Sequence, residues 1–140
     1  MIKRILVAYD DSEPARRALD VGAELALGMK AAIGLVSVAR QRLGRPLDDP
    51  WGDASVRAAG LHEAKKLLAT RGLEAETHEP IGDPGPLIVQ VARDFGYDTI
   101  VLGTRHLSPL GQAFLGSVSV YVSHHALATV IIARGADEPR

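Results

Sequence analysis

ILVAYDDSEPARRALDVGAELALGM, residues 5 to 29, reads as a strand that turns directly into a helix. Ile5 to Ala8 is apolar at every position, the pattern of a strand buried on both faces. Ser12 stands where a hydroxyl can cap exposed helix amides, and Pro14 falls in the first turn, where no intrahelical donor is needed. Ala15, Ala18, Leu19, Gly22, Leu25, Ala26 and Met29 then return at helical spacing as the expected inner stripe. Its small residues permit close approach of helix and sheet.

The same unit repeats outward along the chain. Ala32 to Val38 reads as a second strand, followed by an irregular loop from Arg40 to Asp53 that holds Gly44, Pro46, Pro50 and Gly52. Trp51 in that loop either folds back over the core edge or stacks on a ligand. A helix from Ala54 to Arg71 stops at Gly72, and Ala75 to Glu79 is a more polar strand suited to a sheet edge. Asp83-Pro84 opens a third helix with Pro84, Leu87, Ile88, Val91, Ala92 and Phe95 on one face, ending at Gly96. Thr99 to Leu102 is the second strand that reads as buried on both sides. A long loop from Gly103 to Leu115, a helix from Ser117 to His125 and a strand from Ala128 to Ala133 follow.

Five strands alternating with four helices predict an α/β fold: one doubly wound, Rossmann-like, five-stranded parallel sheet in the order 3-2-1-4-5, with helices on both faces. The first and fourth strands, the most uniformly apolar, belong side by side at the centre. Chain order reverses between them, so the crevice beyond their carboxyl ends is the expected ligand site. Residues 1 to 140 are expected to form a single domain.

Composition narrows the function classes. With 17 acidic against 16 basic residues and a net charge of −1, nothing in the bulk charge favours nucleic acid or a membrane surface. The absence of cysteine removes disulfides, thiolate catalysis and thiolate metal sites. Met1-Ile2-Lys3-Arg4 leads into a short apolar run closed by Asp10-Asp11, unlike an export signal, and a cytosolic protein is expected. Fourteen glycines exceed the usual share of about 7%. Gly22, Gly28, Gly72 and Gly96 are assigned to packing and helix ends, and Gly44 and Gly52 to the irregular loop.

The chemistry is carried by GTRHLSPLGQAFLGSVS, residues 103 to 119. A glycine at a strand end, a long loop, then Gly116-Ser117 at a helix start supply bare amides, room for close approach and the positive end of a helix, which together suit a phosphate. Ser117 and Ser119 add hydroxyl donors, and Gly111 is a candidate hinge. The spacing is neither that of the Walker loop nor the dinucleotide GxGxxG.

These segments strongly resemble the universal stress protein family over nearly the whole chain. ILVAYDDSEP matches its opening strand and turn, Pro80 to Pro86 its segment before the third helix, and Asp98 to Gly103 with Gly116 to Ser119 its closing signature. ATP-binding members carry a glycine, two residues, a second glycine, nine residues, then glycine and serine or threonine. Gly103, Gly116 and Ser117 match with the spacing intact, and His106 replaces the second glycine. The resemblance implies an ATP-type adenine nucleotide, with Mg2+ bound through its phosphates. Ala8, Tyr9 and Asp10 would lie on the ribose and adenine side and the backbone of Val38 at the adenine edge. Gly103, Arg105, His106, Gly116, Ser117, Val118 and Ser119 would lie around the phosphates. It further implies a homodimer paired through Thr129 to Ala133, a strand apolar on both faces yet placed at a sheet edge.

Two residues admit two readings each. Asp10 can accept ribose hydroxyls or cap the first helix. His106 either obstructs a site that needs positive φ or donates a hydrogen bond to phosphate. Function accordingly divides between a nucleotide-binding regulator or sensor of stress response, at most a slow ATPase, and a dimeric interaction module that no longer holds nucleotide. No general base is placed for water attack, and no acidic pair for a catalytic metal. A triad of Ser108, His106 and Asp10 lacks the GxSxG elbow. His124 and His125, about 100° apart on a helix, suit the C-terminal dipole better than a shared metal. His62 and His78 read as surface residues without partners.

Overall fold

The computed structural model describes residues 1–39, 53–104, 106–107, 113–114 and 116–134. Its elements run β1 (Arg4–Ala8), α1 (Glu13–Met29), β2 (Ala32–Val36), α2 (Asp53–Thr70), β3 (Ala75–His78), α3 (Pro84–Asp94), β4 (Thr99–Gly103), β5 (His106–Leu107), β6 (Ala113–Phe114), α4 (Ser117–His125) and β7 (Thr129–Ala133). The main sheet is parallel in the order β3-β2-β1-β4-β7, the predicted topology with β7 as its fifth strand. Within the segment read as a loop, β5 and β6 instead pair as a short antiparallel hairpin, His106 opposite Phe114.

Alternation along the central strands divides the core between the two faces. Ile5 and Val7 of β1 and Val101 of β4 pack with α1 and with Leu61, Ala64 and Leu68 of α2. Leu6, Ile100 and Leu102 face the other way, against Ile88, Val91 and Ala92 of α3 and Val122 of α4. Ile5, Leu6 and Val7 of β1 and Ile100 and Val101 of β4 are fully buried, which is why both strands lack a polar face. Between β1 and β4 the register sets Leu6 beside Ile100 and Val7 beside Val101.

Helix α1 meets the sheet through its small residues. At Gly22 an added Cβ would come within 2.6 Å of Val7 Cγ2, so glycine sets the spacing there. Ala23 joins the buried stripe, and Met29, expected inside, is instead 45% exposed beside the helix end. Phe95 also departs from the expected α3 face. It follows the last helical residue and is half exposed, its ring 4.4 Å from that of His78. Gly28 stands in the last turn of α1, where a Cβ would touch nothing, so its place is at a helix end and not in the packing. By contrast, Gly72 and Gly96 take φ of +80° and +73°, as helix stops should.

Strand β2 ends two residues earlier than predicted. Ser37 still donates its amide to the His78 carbonyl at 3.0 Å, and Ala39 forms an isolated bridge to Ile81, so Val38 is held at the sheet's carboxyl end without belonging to a strand. No described helix is long and apolar enough to cross a membrane.

Candidate functional site

The first wall of the site is the turn from β1 into α1. Tyr9 extends the pairing with β2 by donating its amide to Val36 O at 2.9 Å. Asp11 takes φ +62°, a left-handed conformation that costs a non-glycine residue energy and persists where its surroundings hold it. Here its carboxylate accepts hydrogen bonds from Tyr9 Oη at 3.1 Å and Arg16 Nη2 at 3.0 Å. The Arg16 guanidinium, and after it the Tyr9 hydroxyl, hold the Asp11 carboxyl below its ordinary range. Burial and the neighbouring Asp11 push the Tyr9 hydroxyl upward.

Between them, Asp10 turns one carboxylate oxygen, Oδ1, onto both the amide and the hydroxyl of Ser12. The Ser12 hydroxyl in turn accepts the Ala15 amide at 3.3 Å and is the N-cap of α1. The capping reading of Asp10 is thereby corrected. Ser12 caps the helix, and Asp10 orients Ser12.

Beyond this turn a cleft lies at the carboxyl ends of β1 and β4. It is lined by Ala8, Tyr9, Asp10 and Ser12 from the turn, Pro14 and Ala15 from α1, and Val36 and Val38 from the β2 end. Arg57, Pro84, Ile88, Leu102, Gly103, Val118 and Ser119 complete the wall. Gly103 has a structural reason to be glycine, because a Cβ there would fall 2.3 Å from the carbonyl oxygen of Pro14. The two backbones, the start of α1 and the end of β4, touch at that point. Helix α4 starts at Gly116 without a side-chain cap, leaving the positive end of its dipole uncompensated from that source. Ser119, in its first turn, is 4% exposed and faces the cleft.

Seven of the residues singled out in the sequence, Ala8, Tyr9, Asp10, Val38, Gly103, Val118 and Ser119, therefore line one cleft. Gly116 and Ser117 stand at the start of α4 but not in its wall. Arg105 lies outside the described residues, as do Trp51, Ser108, Gly111, Gly44, Gly52 and the His106 side chain.

Arg57 is the residue that sequence reasoning missed. It comes from the first turns of α2, reaches the turn between β1 and α1 and donates from Nη1 to the Asp10 carbonyl at 3.0 Å. No local spacing announces it, because the contact spans 47 positions. Among the described lining residues, Asp10 and Arg57 are the charged ones.

The histidines are resolved individually. His78 has a partner after all: its Nε2 shares a 2.9 Å hydrogen bond with Tyr97 Oη, and burial lowers its basicity. His62 is exposed. His125 stacks on Tyr121 at 3.9 Å and bonds through Nδ1 to the Tyr121 carbonyl. Among the described residues no cluster of histidine and carboxylate side chains could hold a metal.

Comparison with known proteins places these features in a family. Residues 1–134 match the model of the universal stress protein family. A universal stress protein of Bacillus subtilis is 30% identical over 148 residues, covering 96% of this chain and 100% of that one. Among solved structures, a universal stress protein from Archaeoglobus fulgidus superposes with a TM-score of 0.80 at 29% identity, over 95% of this chain and 99% of that one. The structure of the universal stress protein from Archaeoglobus fulgidus in complex with dAMP gives a TM-score of 0.72 at 28% identity, over 95% and 99%.

Proposed function

Because the chain belongs to the universal stress protein family, we propose that it binds ATP or a related adenine nucleotide in the β1/β4 cleft and acts in the cytoplasm as a regulator or sensor of stress. The observation that carries this reading is the convergence on one cleft of a carboxylate at a strand end, Asp10, and a helix start without a side-chain cap, α4. The first suits a sugar hydroxyl and the second an anion. The relative from Archaeoglobus fulgidus solved with dAMP supports the adenine class of ligand.

In this reading the base lies along Val36 and Val38, the ribose reaches Asp10, and the phosphates meet Gly103 and the first amides of α4, with Val118 and Ser119 beneath them. Gly116, Ser117, Arg105 and His106 complete the phosphate side. Mg2+ would be carried by the phosphates of the ligand, since no described carboxylate pair is placed to hold it. Calorimetry with millimolar Mg-ATP, ADP and AMP tests this. Binding that Asp10→Ala weakens about tenfold, the worth of a charge-assisted hydrogen bond, is expected, and the absence of heat from every nucleotide would sink the proposal.

A second reading has its own observation. Contact with Pro14 already requires glycine at position 103, so that glycine alone does not signal a nucleotide. A dimeric module without ligand would also keep it. Small molecules released from freshly purified protein separate the two, with adenine nucleotide present in the first case and absent in the second.

Both readings include a homodimer through β7. Thr129–Ala133 is the outer strand of the sheet, its Val130, Ile131 and Ile132 only half buried, and Leu127 just before it is fully exposed. An apolar strand edge of this kind pairs with another copy unless something covers it. Light scattering at micromolar concentration is expected to give twice the chain mass, and a monomer would refute the pairing.

A further inference from the structure

Asp11 stands behind the cleft and not in its wall, lining the adjoining hollow with Tyr9, Ser37 and Gly60. Among the described residues, Asp11 and Lys30 are the non-glycine residues with a left-handed backbone. Lys30 ends a helix, where that conformation is ordinary. Asp11 ends no helix, so its φ of +62° in the link from β1 to α1 needs another account.

The neighbouring side chain supplies it. Asp10 Oδ1 accepts the amide of Ser12, two residues on, at 3.1 Å, and the Ser12 hydroxyl as well. A carboxylate bonded in this way closes a turn around the residue between, and that residue is Asp11. Its backbone angle therefore decides whether the Ser12 amide comes round to Oδ1. With Oδ1 engaged, rotation of the Asp10 carboxylate is fixed. Oδ2, which has no partner among the described residues, is the oxygen left for a ligand.

Three elements hold Asp11 where it is. Tyr9 Oη, just past β1, and Arg16 Nη2 of α1 both donate to its Oδ1. Gly60 of α2 leaves it room, since a Cβ there would stand 3.3 Å from Asp11 Cβ. The partners in the Arg16 pair are each more than half exposed, so the pair is worth little by itself. Backbone preference carries more of the load, because after glycine it is asparagine and aspartate that visit the left-handed region most readily.

We propose, resting on the nucleotide reading above, that Asp11 is a positioning residue for the ligand. Its left-handed backbone aims Asp10 Oδ2 at the ribose hydroxyls, and its own side chain does not touch the ligand.

The test compares AMP with 2′,3′-dideoxyadenosine 5′-monophosphate, which lacks both ribose hydroxyls, by calorimetry. The ratio of the two affinities isolates the contact made by Asp10. Wild type is expected to prefer AMP about tenfold, the scale of one charge-assisted hydrogen bond, and Asp10→Ala to show a ratio of about one. Asp11→Gly and Asp11→Asn, both at home at positive φ, keep the preference, although glycine deletes the Tyr9 and Arg16 contacts. Asp11→Val is close to aspartate in size but β-branched, resists that conformation, and brings the ratio to about one. Added to Asp10→Ala, it changes the AMP affinity no further. Asp11→Ala, with a smaller backbone penalty, loses part of the preference and carries the test if the valine variant does not fold. Because each readout is a ratio between two ligands on one folded protein, a general loss of stability does not imitate it. Three outcomes overturn the inference while the nucleotide reading stands: equal binding of the two nucleotides to wild type, loss of the preference in Asp11→Gly, or an undiminished preference in Asp11→Val or, failing its folding, in Asp11→Ala. If neither nucleotide binds wild type at millimolar concentration, the nucleotide reading fails first and this one with it.

Discussion

Single residues in this cleft answer to two demands, and Gly103 shows how to separate them. The sequence offers it as part of a phosphate cradle, whereas the structure gives it a reason independent of any ligand, the Pro14 backbone 2.3 Å from where a Cβ would stand. Backbone cannot rotate away as a side chain can. Gly103→Ala is therefore expected to destabilise the protein by about 1–3 kcal/mol, the usual range for overpacking, with nucleotide absent. Urea unfolding monitored by circular dichroism measures this. An unchanged midpoint together with lost nucleotide binding would return the glycine to a purely ligand-directed role. That Asp10 lines the cleft was legible, because it stands just past the carboxyl end of a strand buried on both faces. That its Oδ1 serves Ser12 was not, since the identity of a hydrogen-bond partner depends on the turn that Asp11 makes at φ +62°.

At the scale of elements, local patterns spoke plainly wherever burial is symmetrical or a cap is chemical. Strands β1 and β4 carry no polar residue between Ile5 and Val7 or between Ile100 and Leu102, and they lie at the centre of the sheet. Ser12 caps α1 as its position suggested. What failed were the ends. Met29 and Phe95 continue a helical stripe in sequence, but each stands at or past the last turn, where the helix has run beyond the sheet it covers. The partners of Arg57 and His78 were illegible for another reason: both contacts join segments far apart in the chain. The two ends of α1 yield a paired prediction. Ser12→Ala removes the hydroxyl that holds the Ala15 amide and should cost about 1 kcal/mol. Lys30, the C-cap, sits at φ +55° and ψ +43°, a conformation that favours glycine. Lys30→Gly should gain about 0.5 kcal/mol, the relief of left-handed strain less the extra entropy of the unfolded chain. Denaturation midpoints moving in opposite directions would bear this out, and a loss in both variants would refute the C-cap half of it.

For the molecule as a whole, two titrating groups that tie distant segments together, Asp98 and His78, oppose acidification. Asp98 draws together the start of β1 and the start of β4, accepting the amides of Lys3 at 2.8 Å and Arg4 at 3.0 Å and the Thr99 hydroxyl at 2.8 Å. Burial alone would raise its pKa, yet those three donors outweigh it and hold the carboxyl below its ordinary range. His78, from β3, meets Tyr97 beside β4, and the Arg4 guanidinium lies 4.9 Å from the Tyr97 ring. Burial first, opposed by Glu76 and joined by the Arg4 charge, lowers the His78 pKa, so the fold prefers neutral imidazole. The signs agree. A depressed histidine binds fewer protons folded than unfolded, so its contribution is complete above about 6.5, the free imidazole value, and is lost as pH falls toward the folded value. A depressed aspartate acts likewise, but only below the ordinary carboxylate value of about 4. Acid should therefore weaken the protein in two stages, His78 first and Asp98 second. Urea midpoints measured from pH 7.5 to 5 are expected to fall in wild type and to fall less in His78→Gln, whose amide can keep a hydrogen bond to Tyr97 without taking a charge. Equal slopes in the two proteins would show that His78 is not the group responsible, whatever the fate of Asp98 at lower pH.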